Sequence, residues 1–150
     1  NSLIYKLKIQ VNTEELKYST IISNKTFVLF LPENEIHELS LLFLNQLILS
    51  KGFKTIFLGQ SLPSDSLSTF LNFNTKIHFV TFCTVEPNPD KMNEFVEDFN
   101  EQILLKSDST LSIFGNRTKD ITLEILPSKI YTFTGLDKFK ADFLNRNSIL

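Results

Sequence analysis

Only one cysteine, Cys83, stands in this chain of 150 residues, so no internal disulfide can form. A domain this long buries core enough to need none, and the cysteine poverty fits a reducing compartment, with the cytoplasm as the expected location. Neither sign of charge dominates. Fifteen Lys and Arg face 17 Asp and Glu for a formal net charge of −2, which leaves no overall positive field to hold a phosphate backbone. Any contact with DNA is therefore expected to come from elsewhere. Long apolar runs are also missing: residues 39–49 form the longest, broken by Ser40, Asn45 and Gln46 and short of the about 20 residues of a membrane span. No membrane association is expected. The chain opens on Asn1 rather than Met with no signal-peptide pattern, and it reads as a piece of a longer protein.

What is present is a set of short apolar runs separated by helical patterns. Phe27-Val28-Leu29-Phe30-Leu31, closed by Pro32, suits a strand buried on both faces. Similar runs follow at residues 55–58, 77–82, 111–114 and 130–133. Between the first two, Ile36, Leu39, Phe43 and Leu47 recur at helical spacing and Gly52 supplies a helix end, predicting a helix over residues 36–50. Asn88-Pro89-Asp90 reads as a capped helix start ahead of Met92, Phe95, Val96 and Phe99. A shorter helix is expected from Ser64, carrying Leu67, Phe70 and Leu71. The last is expected from Thr134, with Asp137 as capping-box partner. Residues 1–24 read as the end of an upstream helix and a linker, and residues 25–150 as the domain itself.

Strands alternating with helices imply an α/β fold of the flavodoxin-like (Rossmann-like) kind, a doubly wound five-stranded parallel sheet with helices on both faces. Ligands of such sheets bind beyond the carboxyl ends of the strands. The loops there are residues 32–36, 59–64, 81–88 and 114–119. Glycine is scarce, with four in the chain, and none falls in Pro32-Glu33-Asn34-Glu35. Two carboxylates and no glycine disfavour a phosphate cradle after the first strand. The third strand ends on Thr81, Phe82 and Thr84, which removes the aspartate a phosphoacceptor needs. Cys83 reads as a small buried hydrophobe without chemistry. Glu35-x-His37 remains: a neutral histidine binds a metal through one ring nitrogen while a carboxylate accepts a hydrogen bond from the other. The bland alternative is an exposed histidine in a first helical turn. Fifteen phenylalanines supply the core, and Phe30, Phe82, Phe114 and Phe133 are candidates to line an apolar pocket.

The run Phe27-Val28-Leu29-Phe30-Leu31-Pro32-Glu33-Asn34-Glu35-Ile36-His37-Glu38-Leu39, followed by Gly59-Gln60-Ser61-Leu62-Pro63, resembles the cobalamin-binding-like effector domain of MerR-type transcriptional regulators. The resemblance spans residues 25–146. It implies that His37 is the axial ligand to the cobalt of cobalamin and Glu35 its hydrogen-bonded partner. The family's nucleotide tail is admitted by small residues, and this chain departs there: Ser40 replaces a glycine, Phe82 stands at a serine position, Thr84 at a leucine position, and Gly115 alone remains of a glycine pair. A Phe ring at the serine position is expected to fill space the tail needs and to impair its binding.

The resemblance further implies an upstream winged-helix DNA-binding domain and a helical bundle ending at about residue 10. The chain would then be a regulatory domain of a bacterial regulator, without enzymatic activity, self-associating and reaching DNA through the upstream domain. Cobalamin bound through His37 is one outcome; an oligomerisation domain holding no cofactor is the other. The alternative class is a corrinoid-carrying component of a methyltransferase or mutase, and a different apolar ligand is a further alternative.

Overall fold

In the computed structural model, which describes residues 25–72 and 76–145 apart from the side chain of Ser61, β1 (Lys25–Pro32) is buried at every position. Burial on both faces is what a central strand requires, and β1 lies between β2 (Lys54–Leu62) and β3 (Lys76–Phe82). With β4 (Thr110–Phe114) and β5 (Ile130–Phe133), the order is β2-β1-β3-β4-β5 and every pairing is parallel. This is the expected flavodoxin-like α/β sheet. The proposed upstream helix and linker, residues 1–24, lie outside the described residues. Among the described residues no helix is long and apolar enough to cross a membrane.

Strand alternation divides the core into two. Phe27, Leu29 and Leu31 of β1 pack with Leu41, Leu44 and Ile48 of α1 (Leu39–Ser50) and with Phe139 and Phe143 of α3 (Leu136–Phe143). Val28 and Phe30 face the other way, against Met92, Val96 and Phe99 of α2 (Met92–Gln102) and Leu67. Fully burying one such side chain contributes about 1.5–3 kcal/mol, so both layers are needed to hold the sheet.

Several local expectations are corrected. The helix expected over residues 36–50 begins at Leu39, because residues 35–38 are held in a non-helical loop by hydrogen bonds to the Glu35 carboxylate. Its buried residues are Leu41, Leu42, Leu44, Asn45, Ile48 and Leu49, while Ile36 and Phe43 are 63% and 51% exposed. The segment is so rich in leucine that spacing alone could not choose its face. Its end is as expected: Gly52 adopts φ 89°, and the bonds Gly52 N–H to Leu49 O and Phe53 N–H to Ile48 O close the helix.

The segment expected to form a helix from Ser64 is a run of 3-10 turns, Ser64–Asn72, with Leu67 buried. Asn88 does not cap through its side chain. Its carbonyl accepts from Lys91 N–H at 2.8 Å in a 3-10 turn ahead of α2. The Thr134–Asp137 capping box does not form either, since α3 starts at Leu136 behind Gly135 with no side-chain cap. Strand β2 continues to Leu62, past a bulge that pairs Leu29 with Phe57 and Phe30 with Gly59. Gly59 therefore lies within the strand, at φ 82°.

Candidate functional site at the carboxyl edge

The chain leaves β1 for β2 on one side and later enters β3 on the other, so the loops after β1 and β3 part at the point where strand order reverses. The site stands there. A turn closed by Glu35 N–H to Pro32 O at 3.0 Å, with Asn34 at φ 72°, brings Glu35 back over the strand ends. Glu35 is 1% exposed and fully partnered. Its Oε1 accepts from the backbone N–H groups of Thr84 and Val85 at 2.7 and 2.8 Å, and its Oε2 accepts from Ile36 N–H at 3.1 Å and meets His37 Nδ1 at 2.8 Å. Burial raises the pKa of Glu35, but the hydrogen bonds from His37, Val85 and Thr84 outweigh it and hold the carboxyl below its ordinary range.

An ionised carboxylate has only acceptors, so His37 Nδ1 must carry the proton. That leaves Nε2 as the unprotonated nitrogen of the neutral ring, on a side chain 56% exposed. Ile36 and Val85, whose backbone groups converge on Glu35, are 63% and 46% exposed. They add apolar surface beside the histidine.

The loop holding Glu35 is itself clamped. Val85 O accepts from Arg117 Nε at 3.1 Å, Arg117 pairs with Asp120 at 3.1 Å, and Arg117 N–H donates to Cys83 O at 2.9 Å. Gly115 makes this approach possible. At φ 105° it packs so closely that a Cβ would sit 2.6 Å from Cys83 O. Cys83 is buried as expected, and burial first, with the Glu35 carboxylate second, pushes its thiol pKa up.

Beside this loop a cavity of about 650 Å3 opens between α1 and the ends of β3, β4 and β5. Ser40, Phe82 and Gly115 line it, together with Phe43, Phe114 and Phe133. Phe82 stacks on Phe114 at 5.1 Å and Phe114 on Phe133 at 5.3 Å, so the three rings form one wall of this cavity, with open space beside them. Of the four phenylalanines considered for a pocket, Phe30 is absent from it. It packs on the opposite face against Phe79 and Phe99.

The structure thus places Glu35, His37 and Thr84 in one hydrogen-bonded unit, and Ser40, Phe82 and Gly115 along the adjoining cavity. Gly59 stands apart on β2, where a Cβ would meet Glu38 Oε1 at 3.3 Å. Val85 and Arg117 were missed. Val85 acts through its main chain, which no residue pattern reports, and the Arg117 contact depends on loop packing between β3 and β4. The second histidine, His78, belongs to the core at the opposite strand ends: its Nδ1 bonds Thr110 Oγ1 and its ring stacks on Phe27. Burial, with Lys25 and Lys76 adding repulsion, pushes its pKa down to about 3. Among the described residues no group of three or more His, Cys, Asp and Glu could hold a metal ion.

No family model and no curated protein matches the chain. Among solved structures it is similar to a monomethylamine corrinoid protein of Methanosarcina barkeri, with a TM-score of 0.63 at 12% identity. The match covers 88% of this chain and 61% of that one, so the chain spans about three fifths of the neighbour's length. At this identity the likeness establishes the fold alone.

Proposed function

We propose that the chain is a corrinoid-binding effector domain of a MerR-type regulator, without enzymatic activity of its own, in which His37 is the axial ligand to cobalt. The observation that carries this is the Glu35–His37 pair: a buried carboxylate with four contacts fixes the tautomer and presents Nε2 on an exposed ring. The residues fit the group. A corrinoid needs one neutral nitrogen from the protein, apolar surface under a flat macrocycle, and room for a displaced tail. His37, the exposed Ile36 and Val85, and the cavity past Ser40 match these needs in turn. When bound, the corrinoid would supply a cobalt centre whose upper position responds to light or to exchangeable ligands. Glu35 would keep the imidazole oriented, and the Thr84 and Val85 amides would keep Glu35 ionised.

The regulator context rests on the Glu35-x-His37-Glu38-Leu39 and Gly59-Gln60-Ser61-x-Pro63 stretches. Self-association, and DNA contact through an upstream domain, belong to the same proposal. A second reading, a corrinoid carrier for a methyltransferase, is favoured by the fold likeness to a corrinoid protein. Absorbance titration with hydroxocobalamin, beside His37→Ala and with size-exclusion before and after, tests the proposal. A spectral change lost in the variant, with a change of assembly, is the expected result. Binding without change of assembly favours the carrier, and no spectral change contradicts both.

A further inference from the structure

The loop after β3 has no regular structure at residues 83–85, and the Val85 side chain is exposed, so burial does not fix where the Val85 amide points. Hydrogen bonds must do so, and they come from two sides. Toward the loop after β1, the N–H groups of Thr84 and Val85 donate to Glu35 Oε1 at 2.7 and 2.8 Å. Toward the loop after β4, Cys83 N–H donates to Phe114 O at 2.8 Å, Cys83 O accepts from Arg117 N–H at 2.9 Å, and Val85 O accepts from Arg117 Nε at 3.1 Å. The two bonds at Cys83 join main chain to main chain and survive any residue at position 117. The bond at Val85 is made by the Arg117 side chain, so a substitution removes it.

Arg117 is itself held where it acts. Its Nη1 donates to Asp120 Oδ2 at 3.1 Å, within the turn Asn116–Asp120. Just past that turn the chain is tied to α2: Asn93 Nδ2 donates to Thr122 Oγ1 at 3.0 Å, and Asn93 Oδ1 accepts from Thr122 N–H at 2.9 Å. A planar fork already fixed by a carboxylate loses little further freedom in keeping its bond to Val85.

We infer that Arg117 is a positioning residue for His37, acting through the main chain of Val85 and the carboxylate of Glu35 to hold the imidazole as its Nδ1–H tautomer with Nε2 unprotonated. The role toward cobalt rests on the corrinoid-binding reading, whereas the hold on the ring does not. From Arg117 Nε to Val85 O, from Val85 N–H to Glu35 Oε1 and from Glu35 Oε2 to His37 Nδ1, the links are 3.1, 2.8 and 2.8 Å. Without the first link Val85 is free to swing, because its side chain has no core to hold it. One of the two amides on Oε1 then loosens, the carboxylate gains freedom to turn, and the ring at its other oxygen loses a fixed partner. Groups behind a metal ligand act in this way, by fixing its tautomer and orientation.

Imidazole nitrogen-15 shifts of the chain without any ligand, taken at about pH 8 and so above the ordinary titration range of histidine, test the hold on the ring. The His37 signals, identified by their loss in His37→Ala, are expected to report mainly Nδ1–H in the natural chain. Arg117→Met, which keeps length and removes the donor, is expected to shift them toward the Nε2–H form that a free side chain favours. Arg117→Lys, which restores a donor, is expected to return them part of the way. Lys129→Met removes a clamp at the opposite strand ends, where Nζ donates to Leu104 O and Ser107 O at 2.8 and 2.6 Å, and is expected to lower the melting temperature without moving the tautomer. An unshifted tautomer in folded Arg117→Met overturns the inference, as does an equal shift in Lys129→Met. Should Arg117→Met not fold, Asp120→Asn, which only loosens the guanidinium, decides by the same shift or its absence. Cobinamide, a corrinoid with no nucleotide tail, tests the corrinoid reading separately. A spectral change in the natural chain, lost in His37→Ala and needing about tenfold more cobinamide in Arg117→Met, supports both. A tautomer shift with no cobinamide response leaves the positioning role standing and overturns the corrinoid reading.

Discussion

The Glu35 carboxylate is shared between two strands' loops: one oxygen accepts from Thr84 and Val85 after β3, and the other holds His37 Nδ1 at 2.8 Å after β1. The histidine's orientation therefore depends on the register of β1 against β3, fixed below it by pairs such as Phe30 with Thr81. The loop after β1 is held in one geometry because the sheet positions its partner.

Replacing Glu35 tests that dependence. Glu35→Gln turns a pure acceptor into a group that also donates, so Nδ1 becomes the acceptor and the proton moves to Nε2. Corrinoid affinity is expected to fall about 10–100-fold, in line with loss of an orienting partner at a metal ligand. Glu35→Ala removes the acceptor of three backbone N–H groups, those of Ile36, Thr84 and Val85, and is expected to cost stability as well, about 1–3 kcal/mol for each such group left buried and unpaired. Paired titrations and urea unfolding measure the two effects.

Acid should destabilise the domain through His78 first. Its pKa is about 3 when folded and about 6.5 when unfolded, so the unfolded chain binds the extra proton, and the stability present above about 6.5 is lost as pH falls toward 3. Between pH 7 and 5 the loss expected from this group is about 2 kcal/mol. Glu35, whose pKa is also lowered, adds its own loss only below the ordinary carboxylate range. Urea unfolding at the two pH values should show the loss in the natural chain and a flatter profile in His78→Phe. Equal slopes would refute the assignment.

Cys83 should resist thiol reagents in the folded state, since it is buried and its pKa is raised. Modification by an aromatic disulfide reagent is expected only after unfolding. Rapid labelling of the native chain would show that the loop after β3 opens readily.

Gly115→Ala should be among the most damaging single substitutions in the domain. The new Cβ would lie 2.6 Å from Cys83 O and 2.8 Å from Cys83 C, at a φ of 105° that alanine rarely adopts. Backbone strain of this kind costs about 1–3 kcal/mol before any clash is counted. A thermal melt should show a marked drop, whereas Gly135→Ala, with nothing within 4 Å of the added methyl, should be mild by comparison on steric grounds.

The fold was legible because β1 carries a continuous apolar run and β3 and β4 are short, mostly apolar segments of a kind that a sheet covered on both sides accepts, with Pro32 and Gly52 as punctuation. The contact between Glu35 and His37 was suggested by their spacing, beside the alternative of an exposed histidine in a first helical turn. The face of α1 was not, because leucines surround that helix and periodicity could not separate Leu44 from Phe43. The Thr134 capping box failed because Gly135 takes the capping position instead. The orientation of Phe82 was not legible either, for a physical reason. A large side chain closes a pocket only if it points into it, and the cross-strand stack with Phe114 holds this ring along the wall.

Axial coordination by His37 is tested most directly by electron paramagnetic resonance of a cobalt(II) corrinoid bound to the domain with its histidines labelled with nitrogen-15. If His37 Nε2 binds cobalt, the superhyperfine pattern from the axial nitrogen changes from a triplet to a doublet on labelling, and the doublet disappears in His37→Ala. A triplet that persists in the labelled protein would place the corrinoid's own base on the metal and contradict the account.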